Sequence, residues 1–224
     1  VLYSTENPNR FVTASLGNNV KARDLNGDGF TDYVIWNATT QELSTKIYRG
    51  DGNYQTTVLM SDIPADKNIY CLDLDKDGDI DILATFSYPY NKVGSFTVVA
   101  LNDGNGNFPT IEDGSITDQF LYAACSDING DGYYDLLSLD LTACGCAPWK
   151  YSSKDIHYSG FSISETFALP VKVQYGQANG NFGTAQLLYT SNKHSGDLLK
   201  DVLFAEDINN DGKPEIWLEN DTVF

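Results

Sequence analysis

Asp24, Asn26, Asp28 and Asp32 stand at positions 1, 3, 5 and 9 of the stretch DLNGDGFTD, with Gly29 at position 6. In a tight loop, alternate positions turn their side-chain oxygens inward and glycine permits the bend. The Phe30 backbone carbonyl, at position 7, adds a further oxygen. A set of hard oxygens of this size suits Ca²⁺, which takes about six to eight ligands at ~2.3–2.6 Å, better than Mg²⁺, which keeps its waters. No soft ligand is present for zinc or copper.

The pattern recurs as DLDKDGDID from Asp73, DINGDGYYD from Asp127 and DINNDGKPE from Asp207, and all four copies fit D-x-[DN]-x-D-G-x-x-[DE]. The second ligand set is Asp73, Asp75, Asp77, the Asp79 carbonyl and Asp81; the third is Asp127, Asn129, Asp131, the Tyr133 carbonyl and Asp135. The fourth is Asp207, Asn209, Asp211, the Lys213 carbonyl and Glu215, where glutamate preceded by Pro214 departs from the pattern and predicts a looser site. An EF-hand needs an acidic ligand at position 12 on an outgoing helix. Here that position holds Ile35, Ala84, Ser138 and Leu218, so the EF-hand is excluded.

The elements that must position these loops are strands. A short apolar alternation precedes each loop, and DYVIW, DILATF, DLLSL or EIWL follows it. Between the loops lie GDGNYQTTVL, GNGNFPTI and ANGNFGTAQLL, Gly/Asn turns closed by Tyr54, Phe108 and Phe182, which predict hairpins. A unit is then strand, cation loop, strand, variable connection, strand, Gly-Asn turn, strand. Almost nothing has helical periodicity.

From loop aspartate to hairpin aromatic is 30 residues in the first unit and 35 in the second, whereas only 17 residues follow Asp207. The opening VLYSTENPNRFVTASL has the look of the missing hairpin, with ENPN as its turn and Phe11 in the aromatic place. The two ends together supply 28 residues, close to one unit. Sheets repeated radially leave no exposed edge when the last is completed by both termini. The expectation is an all-β propeller, one domain over 1–224, of four blades with four antiparallel strands each, closed by pairing N- and C-terminal half-blades. The blades fall at about 18–61, 67–116, 119–190 with an insertion at 142–168, and 200–224 plus 1–16. A piece cut from a larger propeller at the same half-blade point is the alternative.

Composition agrees with a folded, soluble chain: 224 residues, 42% hydrophobic and 20% charged. The formal charge of −17 repels phosphate backbones and anionic lipid, which argues against nucleic acid and membrane partners. No apolar run approaches the ~20 residues of a membrane span, and VLYSTENPNR lacks the signal-peptide pattern. Thirteen of the 31 acidic residues are loop ligands, and four divalent ions, eight positive charges, would take −17 to −9. Much of the acidity is thus metal-site chemistry rather than a partner surface.

Tandem D-x-[DN]-x-D-G-x-x-D loops with GNGNF hairpins resemble the FG-GAP/VCBS repeats of integrin-like β-propellers, and the likeness runs over essentially the whole chain. The resemblance implies that each loop joins the two inner strands of a blade around a structural Ca²⁺, about four ions in all. It also implies a secreted or cell-surface place and an adhesion, glycan-binding (lectin-like) or accessory role.

Other residues leave two readings each. Cys71 and Cys125 lie two residues before a loop aspartate, where the other units have Ala22 and Ala205; they are small residues in tight strands or a disulfide between neighbouring blades. Cys144 and Cys146 form a C-x-C without further ligands nearby, in an insertion that also gathers Trp149, Tyr151, His157, Tyr158 and Phe161. Those aromatics suit stacking on a sugar or anchoring a protein contact, and equally suit capping a blade face. Arg49-Gly50-Asp51 falls at a hairpin tip, as a ligand motif or simply as turn chemistry. For catalysis there are only His157 and His194, with no G-x-S-x-G and no H-E-x-x-H. A recognition module for glycan or protein comes first, a structural accessory domain of a larger secreted protein or toxin second, and a polysaccharide-acting enzyme third.

Overall fold

The structure is a computed structural model and describes residues 20–63, 66–87, 95–116, 120–140, 166–194 and 203–218. All regular elements among them are strands. The chain divides into two compact units, one of residues 1–86 and 97–114, the other of 87–96 and 115–224.

The first unit holds two four-stranded sheets. In one, β1 (Val20–Arg23), β2 (Asp32–Asn37), β3 (Glu42–Tyr48) and β4 (Tyr54–Met60) follow each other in order, each antiparallel to the next. Period-two alternation builds it: Val34 and Trp36 on β2 and Leu43 and Ile47 on β3 are buried, while Glu42, Ser44 and Lys46 between them are not. The outer strand β4 is exposed from Tyr54 to Val58, so its place comes from the β3–β4 hairpin rather than from an apolar face. The other sheet runs β5 (Asp66–Leu72), β6 (Asp81–Ser87), β7 (Ser95–Leu101), β8 (Thr110–Ile116). Here Asp81 to Phe86 and Thr97 to Ala100 are buried without interruption, the mark of strands covered on both faces. β1 lies beside β5.

In the second unit β9 (Phe120–Ser126), β10 (Asp135–Asp140), β11 (Thr166–Gln174) and β12 (Gln186–His194) form a third four-stranded antiparallel sheet. β13 (Leu203–Glu206) and β14 (Glu215–Leu218) form a two-stranded one. β9 lies beside β13, and Ala124, Leu137, Leu139, Val171, Val173 and Leu203 make one buried cluster joining the two sheets.

The predicted unit of strand, loop, strand, connection, strand, Gly-Asn turn, strand is therefore present three times, with its first half a fourth time. β11 begins at Thr166, inside the expected insertion range. The hairpin expected from residues 1–16 lies outside the described residues, as do Cys144, Cys146, Trp149, Tyr151, His157, Tyr158 and Phe161. Cys71 and Cys125 are free thiols. Cys71 is buried in β5, and desolvation pushes its thiol up to about 11, as expected of a small core residue rather than a reactive one.

Candidate metal centres

Each loop occupies the turn between the first two strands of its sheet: β1–β2, β5–β6, β9–β10 and β13–β14. Four short segments that share the D-x-[DN]-x-D-G-x-x-[DE] spacing adopt one hydrogen-bond pattern because the shared carboxylates dictate it. The position 1 aspartate accepts the N–H of the position 6 glycine in all four: Asp24 Oδ2 from Gly29 at 2.9 Å, Asp73 Oδ2 from Gly78 at 3.1 Å, Asp127 Oδ2 from Gly132 at 2.7 Å, Asp207 Oδ2 from Gly212 at 2.8 Å. The position 5 aspartate turns back on its own loop, accepting the N–H of position 7 at 2.8 Å for Asp28, 2.9 Å for Asp77, 2.8 Å for Asp131 and 2.9 Å for Asp211. Where position 3 is asparagine, its amide donates to that same aspartate: Asn26 to Asp28 at 2.9 Å, Asn129 to Asp131 at 2.9 Å, Asn209 to Asp211 at 3.2 Å.

Position 9 has a second duty that the spacing alone did not reveal. One oxygen accepts the N–H of position 2, from Leu25 to Asp32 at 2.9 Å, from Leu74 to Asp81 at 2.8 Å and from Ile128 to Asp135 at 2.8 Å. The other accepts a backbone N–H from the end of the third strand: Tyr48 to Asp32 at 2.8 Å, Asn102 to Asp81 at 2.8 Å, Gly176 to Asp135 at 2.9 Å. All three aspartates are fully buried. Each, at the start of the second strand, staples its own loop to the end of the third strand. Burial raises the carboxyl pKa of Asp32 and Asp135 above the ordinary value, and that of Asp81 to about 6, although the two N–H donors pull the other way. In the fourth loop the longer Glu215 still reaches the Ile208 N–H at 2.8 Å, but its other oxygen takes the Asn209 amide at 2.7 Å. That loop accordingly differs in shape, as its sequence predicts.

Whether the residues fit Ca²⁺ is decided in the second loop. Asp73, Asp75 and Asp81 each bring one carboxylate oxygen within 4.8 Å of the others, the spread of ligands around a single ion with ~2.3–2.6 Å bonds. In the first, third and fourth loops Oδ1 of the position 1 aspartate accepts the N–H of position 5, at 3.2, 3.1 and 3.1 Å. In the second loop Asp73 Oδ1 is buried with no hydrogen-bond partner. A buried carboxylate oxygen without a donor costs free energy that a cation would recover. The donor set and the orphaned oxygen fit Ca²⁺. Asp77, also a predicted ligand, is outside that group of three and is exposed.

The sequence of these loops and the strand order around them can be set against known proteins. The FG-GAP-like repeat family matches twice in tandem, at residues 24–84 and 73–138, from the first cation loop into β10. The chain belongs to the FG-GAP-like repeat family. No curated protein matches it. Among solved structures, the crystal structure of puromycin hydrolase is similar at a TM-score of 0.50 and 13% identity, over 90% of this chain. This chain spans 27% of that one, and a likeness at such identity concerns the fold alone.

Within this FG-GAP-like chain the hairpins are also repeated structures. Arg49 N–H bonds Asn53 O at 3.1 Å, Asp103 N–H bonds Asn107 O at 3.0 Å and Gln177 N–H bonds Asn181 O at 2.9 Å. Arg49-Gly50-Asp51 does lie exposed at the first tip, with the Arg49 guanidinium on Gln55 Oε1 at 2.9 Å and Asp51 Oδ1 on the Asn53 N–H at 2.9 Å. Sequence reasoning passed over the left-handed backbone at loop position 4, filled by Gly27 and Gly130 but also by Lys76 (φ 66°) and Asn210 (φ 59°). It also passed over Asn102, whose signal was its place immediately before the DGNGN turn.

Proposed function

We propose that this chain is a calcium-stabilised, extracellular β-propeller that serves as a recognition or adhesion module for a glycan or protein. The observation behind the calcium reading is the acidic group Asp73, Asp75 and Asp81 with its unpartnered buried oxygen, in a loop whose sequence pattern occurs four times. Asp24, Asn26, Asp28 and Asp32, and the equivalent residues of the other loops, hold the ion, and the bound ion neutralises carboxylates packed at the inner end of each sheet. The ligand surface is sought on the aromatic insertion from Thr142 to Phe161. The net charge of −17 disfavours nucleic acid.

Two observations support closure into a ring of four blades. First strands lie side by side, β1 with β5 and β9 with β13, as in radial repeats. The position 2 side chain that plugs the core in the first two loops, Leu25 at 2% and Leu74 at 3% exposure, has a 56% exposed counterpart in Ile208 of the two-stranded sheet. Residues 1–16 would complete that sheet.

A glycan array together with pull-down from cell and culture extracts, run with calcium and with chelator, tests the recognition role. Calcium-dependent capture abolished by Trp149→Ala and Tyr158→Ala supports it. No capture in either condition turns the assignment to a structural accessory domain.

A further inference from the structure

Asn102 follows β7 and is 5% exposed, yet every polar atom of its side chain has a partner. Its amide nitrogen donates to Leu25 O at 2.6 Å and to Ile80 O at 3.0 Å, and its Oδ1 accepts the Gly106 N–H at 3.1 Å. Leu25 is position 2 of the first cation loop and Ile80 is position 8 of the second. The backbone N–H of Asn102 adds the bond to Asp81, a ligand of the second loop. A single buried amide thus ties the two loops to each other and to the hairpin 103–107.

That hairpin lies against both loops. A Cβ on Gly104 would meet the Asp79 carboxylate at 2.6 Å, and one on Gly106 would meet Ile47 at 3.0 Å and Cβ of Asn26 at 3.4 Å. Asp79 belongs to the second loop, and Asn26 is a ligand position of the first. The hairpin thus abuts the second loop at Asp79 and the first at Asn26.

Resting on the reading that these loops hold Ca²⁺, we propose that Asn102, with the hairpin it anchors, couples the first two cation loops so that filling one raises the affinity of the other. Ion binding at the second loop fixes Asp81 and the 80–81 backbone. Asn102 transmits that order to the Leu25 carbonyl and the hairpin, so the first loop has less conformational freedom left to lose. Coupling free energies of this kind correspond to about fivefold or more in affinity, and they act equally in both directions.

The test is a Ca²⁺ titration of the full chain by nuclear magnetic resonance, reading the Gly29 amide for the first loop and the Gly78 amide for the second. Asp75→Ala removes one of the three gathered carboxylates and disables the second loop; the first-loop Kd should then rise about fivefold or more. In the Asn102→Ala background the same Asp75→Ala change should move it by less than about twofold. An unchanged first-loop Kd in the Asp75→Ala chain overturns the coupling, and this arm keeps Asn102 in place should Asn102→Ala fail to fold. Persistence of the fivefold effect without Asn102 overturns its role. If neither amide responds to Ca²⁺ in the native chain, the calcium reading itself fails, an outcome distinct from two loops that bind independently.

Discussion

Among the acidic loop residues, position 9 and position 5 do different work, and substitution separates them. Asp32 is buried and satisfies the N–H groups of Leu25 and Tyr48, whereas Asp28 is exposed and bonded within its own loop. Asp32→Ala orphans two backbone donors at about 1–3 kcal/mol each, so a loss of about 2–6 kcal/mol is expected in denaturant melts even under chelator. Asp28→Ala should cost stability only when calcium is present; equal losses in both conditions would contradict the division of labour. Thr45 shows the converse case, since its hydroxyl is buried on β3 without a hydrogen-bond partner. Thr45→Val keeps the shape and removes the unpaired group, with an expected gain of about 1 kcal/mol in the same melts. The buried Asp81 carboxyl adds a pH dependence. Its pKa is raised from 3.8 to about 6, so the metal-free fold holds a proton that the unfolded chain has released in that window. This contribution is complete below 3.8 and is lost as pH rises through about 6. Ca²⁺ competes with that proton, so calcium affinity at the second loop should fall as pH drops from 7 through 6 to 5, approaching about tenfold per unit. A calorimetric affinity flat over that range would show that Asp81 is not a ligand.

At the scale of the loop and hairpin, the sequence was most informative where side chains impose the backbone. The D-x-[DN]-x-D-G-x-x-[DE] spacing located all four loops, because the carboxylate at position 1 and the glycine at position 6 make the bond that bends each one. The alternation of DYVIWN and ELSTKIY likewise marked β2 and β3. Where structure depends on a neighbour distant in the chain, little could be read. The bond from Asn102 to Leu25 crosses 77 positions, and the staple from Asp135 to Gly176 crosses 41. Nor did composition reveal that position 4 is left-handed, because Lys76 has no preference for that region, and the loop bonds on either side of it run from Asp77 to Asp75 and from Gly78 to Asp73. The conformational cost should be recoverable: Lys76→Gly is expected to stabilise the chain by about 0.5–1 kcal/mol, and a loss of that size would show that the lysine side chain outweighs it. Gly176 is constrained in the opposite sense. A Cβ there would collide with the Tyr134 carbonyl, so Gly176→Ala must displace the end of β11 and break the staple to Asp135.

For the whole molecule the excess negative charge is both a cost and a clue. The chain carries −17, with thirteen acidic side chains at the patterned positions of four short loops, where mutual repulsion opposes folding. The hydrogen bonds within each loop offset part of that repulsion, but they leave Asp73 Oδ1 unpartnered and the Asp81 carboxyl raised in pKa. Ions that bind the folded chain alone stabilise it by mass action, about 2.7 kcal/mol per site at a hundred times the Kd. Two of the four loops loaded in this way already give about 5 kcal/mol. At about 2–4 °C per kcal/mol for a chain of this size, chelation should lower Tm by at least about 10–20 °C. Salt distinguishes ion-specific binding from simple screening, because about 0.5 M NaCl shortens the Debye length well below 10 Å without supplying a hard divalent ligand partner. In chelator, NaCl should restore a small part of the lost Tm by screening the loop carboxylates, while calcium at millimolar concentration restores all of it. If NaCl alone restores the full Tm, the loops are merely crowded with charge, and their ligand spacing has no metal to explain it.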